Sequence, residues 1–198
     1  MKRARHKALA LSLFTVLYNL AEGGIAMTAS AQSGSSALWG FGLDSFVESL
    51  SGLVMVWRFA KFEIDSGDEE FEAIERRSAR LVAYSFFALG AYVVLDASYA
   101  LYAREAPESS VLGMALAVAS LVVMPVLFLL KYRLGKSIGS RSLVADSKET
   151  LACLLLSVAL LAGLAANWLW RLWWVDAASA LVIAALILRE GWETLTED

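Results

Sequence analysis

The chain has 198 residues, 59% of them hydrophobic and only 19% charged, with a mean hydropathy of +0.60, whereas an ordinary globular domain is less apolar and about a quarter charged. A net charge of −3, with no basic stripe carrying interleaved aromatics, excludes a nucleic-acid binder. One cysteine excludes an internal disulfide framework, and the single histidine, His6, lies in the N-terminal tail and excludes a histidine-based catalytic site inside the fold.

What remains is an all-α, polytopic membrane protein. Apolar windows of about 20 residues are long enough to cross a bilayer as helices, and six of them fall at about 8–31, 37–60, 80–103, 111–131, 142–166 and 172–190. The start, MKRARHK, has the basic character of a signal peptide, but no small-residue cleavage site follows a short apolar core, so the first run reads as a retained helix. That helix carries Glu22, and the second carries Asp44 and Glu48 in GLDSFVESLSG. Between helices 2 and 3, EIDSGDEEFEAIERRSAR is the one long polar stretch and reads as a solvated linker whose acidic half also suits a helix start. The third helix carries Asp96. The fourth, VLGMALAVASLVVMPVLFLL, has no charge, and Pro125 is expected to kink it. The fifth carries Asp146, Lys148 and Glu149; the sixth carries Asp176, which is expected to cap its start, while Asp146 is expected to pair with a cytoplasmic base. Gly23, Gly24, Gly40, Gly42 and Gly52 are expected to let helices pack closely.

Loop charges give the orientation. Lys2, Arg3, Arg5 and Lys7 precede helix 1, Arg58, Lys61, Arg76, Arg77 and Arg80 surround the helix 2–3 loop, and Lys131, Arg133, Lys136 and Arg141 fill the helix 4–5 loop. The alternate loops hold only Arg104 and Arg171, so the positive-inside rule puts both termini in the cytoplasm. Trp168, Trp170, Trp173 and Trp174 then form an outer interfacial belt.

Charges inside the spans are costly in lipid and mark function. At a rise of about 1.5 Å per residue, Asp44 and Glu48 lie about 10 and 16 Å from the outer end of helix 2, Glu22 about 13 Å from that of helix 1, and Cys153 about 18–20 Å from that of helix 5, with Glu149 one turn deeper. All five fall near the midplane. Asp44 and Glu48 are i, i+4 and share one face of helix 2; Glu149 and Cys153 are i, i+4 on helix 5. Two helices that each present two donors one turn apart enclose a single four-coordinate cation. Carboxylate oxygens with a thiolate suit divalent transition metals, the sulfur favouring softer ions such as zinc or cadmium. Glu22, with Asn19 one turn earlier to hydrogen-bond it, is a candidate for an additional metal or proton site.

Three stretches carry a family resemblance: NLAEGGIAMTASAQSGSSALWGFGLDSFVESLSG, SLVADSKETLACLLLSVALLAGL and WWVDAASALVIAALILREGWETL. Over essentially its whole length the chain resembles the transmembrane domain of the cation diffusion facilitator family, the zinc-transporter type of divalent metal/proton exchanger. That family places ligand pairs i, i+4 on helix 2, usually Asp or His followed by Asp, and on helix 5, usually His followed by Asp shortly after an Ala-Asp. Carried over, the pairs fall on Asp44 with Glu48 and, counting from Ala145-Asp146, on Glu149 with Cys153. The departures are Glu149 in place of the histidine, Cys153 in place of the second aspartate, a basic loop KYRLGKSIGSRS where many zinc carriers have histidines, and no C-terminal cytoplasmic domain. A short form resembling the TMEM163-like branch is the closer comparison.

The expectation is therefore a divalent metal transporter of the plasma or inner membrane and no enzyme. Its cargo would be zinc, with cadmium, cobalt, iron or manganese open, exported from the cytoplasm in exchange for protons, and it would need no cofactor. Its partners would be the metal ion, protons, membrane lipid and a second copy of the chain, since the resemblance implies a homodimer and helix 3 offers a face of Ala, Tyr and Leu. Two other classes stay open: an intramembrane enzyme using the carboxylate pair, and a non-transporting membrane subunit with the same fold. A channel is a weaker variant, because four tight donors hold an ion too firmly for rapid flow.

Overall fold

The computed structural model describes residues 2–61, 69–104 and 108–196. Every regular element among them is an α-helix: α1 Lys2–Ser33, α2 Ser36–Lys61, α3 Glu69–Ala103, α4 Val111–Ile138, α5 Arg141–Trp170 and α6 Trp173–Thr196. The helices outrun the apolar windows because hydropathy marks where a helix is oily, while backbone hydrogen bonding continues to the next stop signal. α3 begins at Glu69, so the second half of EIDSGDEEFEAIERRSAR is helix and not linker; residues 62–68, in its acidic half, lie outside the described residues. α4 passes through Pro125 and continues about two turns beyond Lys131.

Local chemistry explains the tight turns. Gly34 adopts φ +72, a left-handed conformation that suits glycine. Its N–H closes α1 on the Ser30 carbonyl at 2.8 Å. The Ser35 hydroxyl then accepts the Leu38 N–H at 3.1 Å and caps α2. α4 opens on Ser110, whose side chain accepts from the Gly113 N–H at 3.0 Å, and stops at Gly139 with φ 68. Ser140 caps α5 through the Leu143 N–H at 3.4 Å. Such short connections make neighbouring helices antiparallel. At one end of the bundle Arg5 donates from Nε to the Phe59 carbonyl and from Nη2 to the Ala60 carbonyl, each at 2.7 Å, and so satisfies the last turn of α2 from the start of α1. At the other end Asp176, in the first turn of α6, does not serve its own helix as expected. It accepts from Ser35 Oγ at 2.5 Å and from the Ala37 N–H at 3.4 Å, because the unpaired donors of α2's first turn lie beside it.

The fold is apolar outside and polar inside. Leu17, Leu95, Val111, Val122 and Val126 are exposed, whereas Ser12, Thr15, Asn19, Glu22, Asp44, Glu48, Lys131, Asp146 and Thr150 are buried. Water would oppose that distribution; a lipid surround favours it. By length and composition α1, α4 and α5, and the part of α3 from Phe86, are apolar enough to cross a membrane. α2 and α6 fall outside that set, and α2 is the most enclosed, packing against α1, α3, α5 and α6. A continuous core runs through all six helices, with Phe41, Val93, Met124, Leu160 and Ile183 among its members. A smaller cluster of Ala8, Met55, Phe59 and Leu143 closes the end at which Arg5 sits.

Close approach rests on small residues at particular crossings. A Cβ on Gly23 would stand 3.0 Å from the Gly42 carbonyl oxygen, so α1 and α2 touch backbone to backbone there. Gly24, expected to serve the same purpose, meets nothing within 4 Å among the described residues, because it lies one step round α1 from that contact. At the α5–α6 crossing a Cβ on Gly163 would lie 2.6 Å from Ser179 Cβ. Gly163→Val is expected to destabilise the protein by about 1–3 kcal/mol through overpacking, and Gly24→Ala to leave its stability at or above the wild-type value; thermal unfolding in detergent checks both.

Candidate functional site

Asp44 and Glu48 project from α2 at 5% and 3% exposure, deep in the bundle. With Glu149 of α5 and Glu190 of α6 they line one small cavity, whose apolar walls include Phe86, Leu156 and Ile187. The free space inside is about 10 Å³, room for the centre of one water-sized particle. Four helices, α2, α3, α5 and α6, therefore meet around a space for one small ion. Glu48 Oε2 and Glu149 Oε2 are both buried without a hydrogen-bond partner among the described residues. Buried oxygens in that condition are costly unless something joins them. The carboxylates line the space and do not yet converge: among the described residues no three His, Cys, Asp or Glu side chains stand close enough together to hold a metal ion.

A second buried group approaches from α4. Lys131, counted above among the loop bases, is 0% exposed, because α4 runs on past it and turns it into the bundle. Its ammonium pairs with Asp146 Oδ2 at 2.9 Å and donates to Thr150 Oγ1 at 2.9 Å. Asp146 thus has the basic partner expected of it, from within the bundle. The Thr150 hydroxyl in turn reaches Glu48 Oε1 at 3.0 Å, its other acceptor in range being the Asp146 carbonyl at 3.2 Å. A chain of polar contacts therefore runs from Asp146 through Lys131 and Thr150 to Glu48.

Glu22 lies in a separate polar cluster. Its Oε2 accepts from Ser45 Oγ at 3.0 Å and its Oε1 from Ser120 Oγ, joining α1 to α2 and α4. Tyr18 OH lies 3.3 Å from the same Ser120 hydroxyl. Cys153 is a free, buried thiol between two carboxylates: its Sγ is 3.9 Å from Glu22 Oε2 and it also interacts with Glu48, although it is not among the residues that line the cavity. On α5 the walls at that level are Ala152 and Leu156. Asn19 is fully buried, yet its amide does not bond Glu22 as expected; neither side-chain atom has a partner among the described residues. The Ser45 and Ser120 hydroxyls take that place on the carboxylate.

Three residues of this centre escaped the sequence reading. Lys131 directly follows an unbroken apolar run and looks like the first base beyond a span; the better signal was Gly139-Ser140, which marks where the helix stops. Glu190 follows Arg189 and looks like the end of a span, although it continues the buried stripe of Ile183 and Ile187 at helical spacing. Thr150 had no signal of its own, since a lone hydroxyl in a helix most often bonds back to its own turn.

A family model described as the cation efflux transmembrane domain matches residues 12–198. Transmembrane protein 163 of Xenopus laevis is 24% identical to the chain over 195 residues, covering 98% of this chain and 68% of that protein.

Removing one partner of a buried ion pair strands the other charge, so Lys131→Met alone is expected to destabilise the protein by about 3–5 kcal/mol, and Lys131→Met with Asp146→Leu to recover most of that loss. Thermal unfolding of the two variants in detergent measures the difference.

Proposed function

The chain belongs to the cation efflux family, and from that premise we propose that it carries zinc, or a transition metal of similar size, out of the cytoplasm in exchange for protons. The chain is an integral membrane protein and, at the level of the family, a transporter of cations. The proposal adds the ion, the direction and the coupling, together with six spanning helices and both termini in the cytoplasm. The observation that carries it is the cavity shared by Asp44, Glu48, Glu149 and Glu190.

The chemistry follows from those groups. A divalent ion entering the cavity meets carboxylates that have no water to screen them. The glutamate side chains are flexible enough to draw in on it, and the partnerless oxygens of Glu48 and Glu149 gain a bond each. Asp44, Glu48, Glu149 and Cys153 are the ligands in this reading, Cys153 standing between Glu22 and Glu48. Ligands must be deprotonated to bind, so loading the metal releases protons and unloading it takes them up. With no histidine after His6, carboxylates carry those protons, Glu149 first and Glu22 as its helper. A homodimer through α3 is part of the proposal, supported by the exposed Leu95, Tyr99 and Tyr102 on that helix; cross-linking in native membranes is expected to trap a pair, and a monomer throughout counts against it.

The test is metal flux in proteoliposomes with an imposed pH gradient, screening zinc, cadmium, cobalt, iron and manganese. Asp44→Ala and Glu48→Ala are expected to abolish flux while the protein still inserts, Glu149→Gln to stop or uncouple it, and Glu149→His to keep it with a stronger preference for zinc. Wild-type flux that ignores the gradient removes the exchange mechanism, and wild-type rates in Asp44→Ala or Glu48→Ala remove the site.

A further inference from the structure

A cavity rich in carboxylates poses a problem of selectivity. Oxygen donors suit calcium and manganese at least as well as zinc. Calcium takes six to eight oxygens, with carboxylates often binding through both, whereas zinc is content with four donors. What decides between them is how many oxygens the carboxylates are free to give.

The polar chain from α4 bears directly on that number. Thr150 Oγ1 accepts an N–H from Lys131 at 2.9 Å. Its one hydrogen has two acceptors in range, Glu48 Oε1 at 3.0 Å and the Asp146 carbonyl at 3.2 Å, and Glu48 is the shorter contact. Oε1 thereby has one lone pair engaged and its direction fixed, while Oε2, buried and without a partner among the described residues, is the oxygen free to turn to an ion. Lys131 is itself held by Asp146 at 2.9 Å with both side chains almost wholly buried, so the ammonium has no competing water. The cavity adds a limit of its own, since about 10 Å³ admits one small particle and no retinue of waters.

We propose that Lys131, acting through Thr150, sets the ion preference of this transporter by holding the Glu48 carboxylate so that Oε2 alone faces the ion. Lys131 and Thr150 are positioning residues that do not touch the ion. The inference rests on the transport reading above and goes beyond it in assigning selectivity to two residues outside the ligand set. Breaking the restraint lets the Glu48 carboxylate turn to present both oxygens, and binding through both favours calcium over zinc. Thr150→Val is the clean break: it keeps the shape of the side chain, removes the hydroxyl and leaves the ion pair between Lys131 and Asp146 intact. Thr150→Ser keeps the hydroxyl.

The experiment compares zinc and calcium flux, separately and in competition, for the full chain in proteoliposomes under one pH gradient. Groups that orient a metal ligand change affinity by about 10–100-fold when lost, so the zinc-to-calcium ratio is expected to fall by about tenfold or more in Thr150→Val and to stay at the wild-type value in Thr150→Ser. A purely structural role for Thr150 would lower both fluxes and leave their ratio alone. Lys131→Met with Asp146→Leu removes the ammonium without stranding a charge, frees the Thr150 hydroxyl to turn to the Asp146 carbonyl, and is expected to move the ratio in the same direction; it gives the answer if Thr150→Val fails to insert. A wild-type ratio in Thr150→Val, or in the double variant where that one fails, overturns the proposal while zinc flux leaves the transport reading standing. A wild-type protein that moves none of the divalent ions overturns both.

Discussion

Charge without water is the constraint on which this structure depends. Asp44 and Glu48 sit at 5% and 3% exposure on the most enclosed helix, where a carboxylate has only the neighbouring helices to answer it. Thr150 of α5, held by Lys131 of α4, reaches Glu48, while Glu22 of α1 is met by hydroxyls of α2 and α4. Because these groups are spent inside, the outer surface is left to Leu, Val and aromatic residues, which is the arrangement a lipid surround permits.

The polar interior is divided into two clusters with different partners. One contains Asp146, Lys131, Thr150 and Glu48, and ties α2 to the α4–α5 pair by way of a cation. The other contains Glu22, Ser45, Ser120 and Tyr18, and ties α1, α2 and α4 through neutral hydroxyls. Between them the cavity lies open to four carboxylates. The hydroxyl-bound Glu22 is satisfied and can remain as it is, whereas Glu48 and Glu149 each keep an oxygen unmet. That difference is the reason to look for the ion at the second group and not at the first. Cys153, one turn from Glu149 on α5, touches both sides of this division, Glu22 and Glu48.

Packing reinforces the division. α1 and α2 are held at backbone distance by Gly23 and Gly42, and α5 and α6 by Gly163 against Ser179. α1 and α2 form one tightly packed pair, α4 and α5 a second and α3 and α6 a third, and the cavity falls where α2 meets α5 and α6. A shift between the units would alter the cavity and the Thr150–Glu48 contact together, so ion size and helix position are physically linked in the transport reading.

Composition by itself determined that the protein lives in a membrane, because so apolar a chain with so few charges has no stable fold in water. Periodicity determined that Asp44 and Glu48 share a face, since i, i+4 on a helix is a fixed geometry, and the stretches around them were enough to show the family resemblance. Gly34 and Gly139 mark where α1 and α4 stop, and apolar windows alone missed the start of α3 and the end of α4. Which residues complete the centre was decided only by tertiary structure. The rotation of α5 turns Glu149 into the cavity and Cys153 towards Glu22, the length of α4 turns Lys131 inward, and the crossing of α6 brings in Glu190. Spacing along one helix fixes which side chains point together; it says nothing about what stands opposite, because that depends on how far each helix runs and at what rotation it meets its neighbours.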